Sequence, residues 1–307
     1  MRDALTQTLT LPGGRTLGYS DYGPPDGTPV LNCHGGPGSR LEPGLGAREA
    51  GAAGIRGIGI DRPGYGLSTP LPGRSIADWV PDGLAVLDAL GIDRCTVVGV
   101  STGGAYALAL AALAPERVDA VMLMCALTDM RWPEARAEMG GLEDATGAIW
   151  DVTDREAALA HATELWGEDG LKQFAQAAEL LAATQDGSVA PLAPADMALF
   201  TDGEFVTAML ELMRDAFARF GAQGYADDRI ADGPQHGWES FDVAAVRCPV
   251  TILHGTADTV VPVAHAHHTA ELIPQAELRT VDGLGHFSIA REALPTLVEL
   301  LARVSPP

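Results

Sequence analysis

The chain has 307 residues, of which 47% are hydrophobic and 20% charged, and its formal net charge is −21. This length and composition predict one large globular domain, or a core domain with a sizeable insertion, and argue against disorder. An acidic surface repels phosphate and anionic lipid, so we expect neither nucleic acid nor membrane partners. Residues 1–10 lack the pattern of an export signal and the apolar stretch 105–114 is too short to span a bilayer, which predicts a cytoplasmic protein. The oligomeric state stays open.

The predicted strands alternate with helical runs rich in Ala and Leu, the pattern of a parallel sheet covered on both faces. An antiparallel hairpin comes first, with strands at 5–11 and 16–22 around Pro12-Gly13-Gly14. The runs that follow are almost continuously apolar, as strands buried on both faces are. They lie at 30–33, 55–60, 95–100, 118–124, 250–253 and 276–281. The sequence therefore predicts an α/β fold with a mostly parallel eight-stranded sheet flanked by helices.

This alternation is interrupted between residues 127 and 238, where no convincing strand is found. Amphipathic helices are predicted there instead, at 132–139, 155–166, 170–183 and 204–220. The segment 129–232 contains 21 acidic and 7 basic residues. We interpret residues 129–237 as a helical lid inserted after the sixth strand, and residues 1–128 and 238–307 as the core.

The motif with the clearest chemistry is Gly99-Val100-Ser101-Thr102-Gly103, which follows a buried strand and opens a helix at 104–113. A serine on a sharp strand-to-helix turn has its hydroxyl exposed, and the glycines on either side avoid clashes with neighbouring backbone. The alternative is a structural serine that caps the helix. We predict that Ser101 is a nucleophile.

A serine nucleophile needs a base, and that base needs a group to orient it. His286 lies in a glycine-flanked loop after the last predicted strand, and Asp258 follows the strand before it. The chain order Ser, Asp, His is that of the nucleophile-elbow type. Asp129, after the strand that ends at residue 124, is the alternative acid, although it could simply cap the first lid helix.

The glycine-rich run His34-Gly35-Gly36-Pro37-Gly38-Ser39 follows the strand at 30–33. Its backbone can approach a substrate carbonyl closely. We predict that the backbone N–H groups of Gly36 and Thr102 stabilise an oxyanion. His34 is expected to brace this loop rather than to transfer protons.

These motifs resemble those of the α/β-hydrolases, in the same order along the chain. The matching segments are 34–38, 61–68, 99–103, 253–258 and 285–286. The resemblance implies that the loop 61–68 is a structural turn. Haloalkane dehalogenases and epoxide hydrolases of this fold use aspartate as nucleophile, so a serine at position 101 sets both activities aside. No motif matches in the lid.

The His-Gly-Gly-Pro-Gly run is also similar to that of proline iminopeptidases, which bind a substrate's free amine through acidic lid residues. Those enzymes usually have tryptophan after the serine, where this chain has Thr102. The candidate acids in the lid are Glu134, Glu138, Glu143 and Asp144. A non-catalytic hydrolase-like binding protein is a third, more distant alternative, because such proteins usually lose a triad residue.

Two other features are assigned structural roles. His265, His267 and His268 are clustered in the sequence, and His265 and His268, spaced i, i+3 on a helix, could in principle bind a metal ion. No third ligand of suitable type is near, so we expect a solvated helix face. Trp238 is expected to be a packed core anchor. No cofactor or metal is implied. The sequence thus predicts a serine hydrolase that cleaves a small carboxylic ester or lactone through an acyl-enzyme, with an aminopeptidase as the alternative.

Overall fold

A computed structural model of the chain describes residues 6–137, 152, 154–184, 192–233 and 237–304. Eight strands form one sheet in the order β1-β2-β4-β3-β5-β6-β7-β8. They are β1 Thr6–Thr10, β2 Thr16–Tyr22, β3 Thr28–Cys33, β4 Ile55–Ile60, β5 Cys95–Val100, β6 Val118–Met124, β7 Val250–Gly255 and β8 Glu277–Val281. Strands β3 to β8 are parallel to one another, whereas β1 pairs antiparallel with β2, and β2 pairs antiparallel with β4. The predicted mostly parallel eight-stranded sheet is confirmed.

Helices cover both faces of this sheet. The core helices are α1 Ala47–Ala52, α2 Val80–Ala89, α3 Gly103–Leu113, α10 Ala264–Leu272 and α11 Ala293–Val304. One apolar cluster joins α2, α3 and α10 to the sheet, and a second cluster joins α1 and α11 to the opposite face. Side chains alternate between the two faces along each strand, which is why the buried strands are apolar throughout.

In the part that the structure describes, the segment between β6 and β7 consists of helices joined by loops. Its helices are α4 Glu134–Ala137, α5 Arg155–Trp166, α6 Glu168–Thr184, α7 Pro194–Leu199, α8 Gly203–Phe217 and α9 Gln223–Ala231. Four of them correspond to predicted helices, and residues 138 and 139 of the first lie outside the described residues. The pattern missed α7 and α9, because α7 is only six residues long and α9 is polar. Trp238 is buried where the chain returns to the core, as predicted, and its indole N–H donates to the Asp232 carbonyl at 3.2 Å.

Candidate active site

Ser101 lies on the sharp turn between β5 and α3, with a backbone φ of 51°. Positive φ is costly for a residue with a side chain, and such strain is concentrated at functional sites. Close packing explains the glycines on either side. A Cβ at residue 99 would lie 2.7 Å from the Gly104 Cα, and one at residue 103 would collide with the Cys33 carbonyl of β3. The turn can therefore form only with glycine at both positions.

The loops after β7 and β8 bring Asp258 and His286 together. The His286 Nδ1 lies 2.9 Å from the Asp258 Oδ2. The other carboxylate oxygen of Asp258 accepts the backbone N–H groups of Val260 and Val261, at 2.9 and 2.8 Å. Since three hydrogen bonds hold it, the carboxylate is fixed and can in turn fix the imidazole, with Nδ1 protonated and Nε2 left as the basic nitrogen.

This pair shifts both pKa values. Burial raises the pKa of Asp258, but the neighbouring His286 and His254 outweigh that effect and hold the carboxyl pKa well below its usual range. Burial also lowers the pKa of His286, and the Asp258 carboxylate reverses this and raises it well above 6.5. The geometry thus favours the imidazolium that forms when the histidine accepts a proton.

Ser101 and His286 line the same cavity, which has a volume of about 1060 Å³. The hydrogen bonds of the described residues do not include one between the Ser101 hydroxyl and the His286 imidazole. Catalytic hydrogen bonds in unliganded enzymes are often long and tighten only when substrate binds. The buried Cys125 thiol lies close to this imidazole and to the Ser101 backbone N–H, and burial raises the pKa of that thiol. A neutral thiol there fills space beside the base.

The two predicted oxyanion residues are adjacent. A Cβ at Gly36 would lie 2.7 Å from the Thr102 Oγ1 and 3.6 Å from the Arg229 guanidinium. Among the described residues, neither the Gly36 nor the Thr102 backbone N–H donates to a protein acceptor. Buried N–H groups nearly always have a partner, so this pair of donors is suited to an oxygen supplied by a ligand.

His34 braces the loop that carries Gly36, as predicted. It is fully buried, its Nδ1 donates to the Gly35 carbonyl at 2.6 Å, and its Nε2 accepts the Arg62 backbone N–H at 3.2 Å. The Arg62 guanidinium binds the carbonyls of residues 34 and 35. Burial and the Arg62 charge keep the pKa of His34 well below 6.5, so His34 stays neutral.

A buried cluster of charges connects this loop to α9, and no motif in the sequence indicates it. Asp228 of α9 accepts from the guanidinium groups of Arg62 and Arg74 and from the hydroxyls of Tyr65 and Tyr106. Burial raises the pKa of Asp228, but the two arginines lower it far below its usual range. The loop 61–68 is therefore structural, as the resemblance implied.

Asp196 of α7 was also missed. Its Oδ1 accepts the backbone N–H groups of Phe287 and Ser288 at 3.2 and 2.7 Å and the Ser288 hydroxyl at 2.6 Å. The Ser288 hydroxyl in turn accepts the Gly285 N–H at 2.8 Å. A fully buried carboxylate from the segment between β6 and β7 thus holds the loop on both sides of His286.

Two predictions about other residues have different outcomes. Asp129, the alternative acid, is bound by the Arg131 guanidinium at 2.6 Å, while Asp258 is the carboxylate that contacts His286.

The prediction that α10 presents its histidines on a solvated face is wrong for His265. This residue is fully buried, and its imidazole accepts the Thr128 N–H and donates to the Ala135 carbonyl. His268 is half-buried and stacks on Trp132, and only His267 is exposed. The three histidines therefore do not form a common surface.

The chain belongs to the α/β hydrolase fold family, whose model matches residues 28–293. It is therefore a hydrolase of this fold. It is 30% identical to a 2-hydroxymuconate semialdehyde hydrolase from Pseudomonas putida, over 91% of this chain and 86% of that protein. It is 28% identical to a proline iminopeptidase from Xylella fastidiosa, over 94% of this chain and 93% of that one.

One similar solved structure comes from work on carboxylesterases of Nitrososphaera gargenis. Its TM-score is 0.70, and its sequence is 22% identical over 97% of this chain and 98% of that chain. Within the part of the chain that the structure describes, the helices do not combine the length and the apolar character that a bilayer crossing needs. In the same residues, no three His, Cys, Asp or Glu side chains are grouped in a way that could hold a metal ion.

Proposed function

We propose that the protein is a serine hydrolase that cleaves a small carboxylic ester or lactone through an acyl-enzyme intermediate. The observation that supports this most strongly is the 2.9 Å contact between His286 Nδ1 and Asp258, at the cavity that Ser101 also lines. The nucleophile, the base and the orienting acid each lie on a loop at the carboxyl edge of the parallel sheet. This edge is where α/β folds bind their ligands.

In the first step the Ser101 Oγ attacks the substrate carbonyl carbon, and the His286 Nε2 accepts the hydroxyl proton. Asp258 stabilises the resulting imidazolium, in agreement with the raised pKa of His286. The carbonyl oxygen becomes an oxyanion that binds the N–H groups of Gly36 and Thr102. Each such donor lowers the barrier by about 3 kcal/mol. The imidazolium then gives its proton to the leaving alkoxide.

In the second step His286 takes a proton from water, which attacks the acyl-enzyme carbonyl. The same two N–H groups hold the second oxyanion. When this intermediate collapses, the imidazolium returns a proton to the Ser101 oxygen, and the carboxylic acid leaves. Apart from the substrate and water, the groups used in these two steps all belong to the chain.

The cavity wall favours an ester or lactone over an amine-bearing peptide. Among the described residues, the carboxylates that line the cavity are Glu42 and Glu49. Glu42 already accepts the Asn32 amide at 2.8 Å and the Gly35 N–H at 3.2 Å, and Glu49 pairs with Arg48 on the surface. Neither of these is poised to bind a free amine. We further propose that residues 129–237 act as the lid over this cavity.

A proline iminopeptidase-like activity is the second candidate, since relatives with that name cover nearly all of this chain. Of the candidate lid acids, Glu138, Glu143 and Asp144 lie outside the described residues. Glu134 is exposed and is not part of the cavity wall.

Turnover of p-nitrophenyl acetate and of proline p-nitroanilide separates the two candidates. We expect hydrolysis of the acetate and its loss in Ser101→Ala, with the melting temperature nearly unchanged. Ser75→Ala, a change outside the cavity wall, should keep full activity. Preferred turnover of the anilide would favour the aminopeptidase. If neither compound is cleaved and Ser101 also ignores a fluorophosphonate, the non-catalytic binding protein becomes the better account.

A further inference from the structure

The residues that line the cavity of Ser101 fall into two groups. One group belongs to the helices between β6 and β7 and includes Phe174, Phe205 and Met209. The other group belongs to the sheet and to α1 and α11, and we call the part of the cavity that it lines the sheet-face groove. Its wall includes Ala50, Gly57, Val98, Met122, Leu294 and Leu297.

The local sequence explains why this groove exists. Helix α1 has only six residues, so it covers little of the sheet face that it packs against. Gly57 of β4 has no side chain to fill the space, and a Cβ there would meet only the Pro43 Cβ, at an ordinary 3.5 Å. Strand β3 beside it has six residues, which gives this face a length of roughly 20 Å.

The wall of the groove is mostly apolar beyond the catalytic end. Next to Ser101 stand Glu42 and Asn32, whose side chains hydrogen-bond to each other. Farther along the sheet the wall includes Val98 and Met122, which belong to the same apolar cluster as Leu297 of α11. Leu45, a wall residue just before α1, is 52% exposed. A groove with mostly apolar walls suits a flexible apolar chain.

We propose that the sheet-face groove binds the linear hydrocarbon chain of the substrate's acyl group, and that the preferred esters are those of long unbranched carboxylic acids. The leaving alcohol has to stay beside the His286 imidazole that protonates it, which leaves the space on the Gly35 and Glu42 side for the acyl chain. This inference rests on the proposed ester hydrolysis and specifies its substrate class.

Chain-length kinetics test the groove. With p-nitrophenyl acetate, butanoate, octanoate and dodecanoate, kcat/KM should rise by roughly fourfold for each buried CH₂ until the groove is full. Ala50→Phe places a ring in the groove and should lower the ratio of kcat/KM for dodecanoate to that for acetate by at least about tenfold. Ala52→Phe, an exposed change on the same helix that is outside the wall, should leave this ratio unchanged.

Gly57→Leu narrows the groove from the sheet side and should lower the same ratio. This variant tests the same prediction if Ala50→Phe fails to fold. If the ratio stays high in both variants and instead falls in Ala177→Trp, under the lid helices, the chain lies beneath the lid and the proposal is overturned. A rate that is flat from acetate to dodecanoate would also overturn it, while the proposed ester hydrolysis would stand.

Binding without turnover separates the two hypotheses. Ser101→Ala should bind dodecanoate in calorimetry, more weakly when Ala50→Phe is added and unchanged when Ala52→Phe is added. If the wild-type protein cleaves no ester but this pattern of binding is seen, the hydrocarbon site stands and the proposed function fails. If dodecanoate binds equally to all three proteins or to none, the groove is not the site.

Discussion

His286 is subject to two opposing influences. Its burial disfavours a charged imidazole, while the carboxylate of Asp258 at 2.9 Å favours it, and the second influence is stronger. An imidazole of this kind is a strong base, but it can accept a proton only when the pH is high enough for it to be neutral. The same pairing therefore sets both the basicity of His286 and the pH at which it can work.

The pH profile follows from the direction of this shift. Only the neutral imidazole can accept the Ser101 proton, so kcat/KM should rise with pH along a one-proton limb whose midpoint lies above 6.5, the ordinary value for histidine. Rates of p-nitrophenyl acetate hydrolysis, measured between pH 5 and 9, would define this limb of the profile. A midpoint well below the ordinary value would contradict the assigned pairing.

Replacing Asp258 tests the orienting role. Asp258→Asn removes the charge that favours imidazolium and allows the wrong tautomer, so kcat should fall by about 10³–10⁴-fold and the midpoint of the remaining limb should move to lower pH. Asp129→Asn is the matched control, because Asp129 is bound by Arg131, and it should change neither quantity. The reverse result would move the acid to Asp129.

At the scale of elements, helix α7 and the loop after β8 behave as one unit. Asp196 of this short helix accepts hydrogen bonds from residues 287 and 288, and a Cβ at Gly285 would collide with its carboxylate. His286 is therefore held in place by Asp196, which belongs to the segment between β6 and β7, as well as by Asp258. The position of the base depends on the docking of α7.

Asp196→Ala should lower kcat for acetate ester by at least about tenfold, because the loop that carries His286 loses three hydrogen bonds and the imidazole is no longer held in place. KM should change less than kcat. Asp202→Ala is the control. It removes the cap of α8, should cost about 1 kcal/mol of stability, and should leave kcat unchanged. Equal effects of the two variants on kcat would show that Asp196 is only structural.

At the scale of the whole molecule, the charge cluster around Asp228 fastens α9 to the core. The carboxylate and the guanidinium groups of Arg62 and Arg74 are all essentially inaccessible to solvent. Charges in such a place are tolerated because each has a partner, and removal of one partner leaves the others uncompensated. The cluster also ends on the loop of His34 and Gly35, so it supports the oxyanion donors indirectly.

Asp228→Ala should therefore reduce the free energy of unfolding by about 3–5 kcal/mol, measured by urea denaturation. Asp227→Ala, on the same helix, breaks a pair with the partly exposed Arg155 and should cost about 1 kcal/mol or less. A small loss in Asp228→Ala would mean that the cluster does not hold α9 in place.

The sequence was sufficient to predict features that depend on local pattern. The buried strands are readable because their side chains are apolar on both faces, and Ser101 is readable because its turn needs glycines at 99 and 103. Asp258 and His286 followed from their positions after the last two strands. Their contact is now seen in the structure, and their catalytic roles stay predictions.

Features that depend on contacts between distant segments could not be read in this way. Asp196 meets Ser288 across about ninety residues and Asp228 meets Arg62 across more than 160, and no spacing in the chain signals either pair. His265 was misjudged for the same reason. The carbonyl of Ala135, which makes its burial possible, comes from a helix about 130 residues earlier.

The central claim is that Ser101 is a nucleophile activated by His286. A fluorophosphonate probe followed by peptide mass spectrometry tests it most directly, because the probe forms a covalent bond only with an activated hydroxyl. We predict a single adduct on the peptide that contains Ser101, and labelling at least about a hundredfold slower in His286→Ala. An adduct on another residue, or labelling of Ser101 at the same rate without His286, would contradict the account.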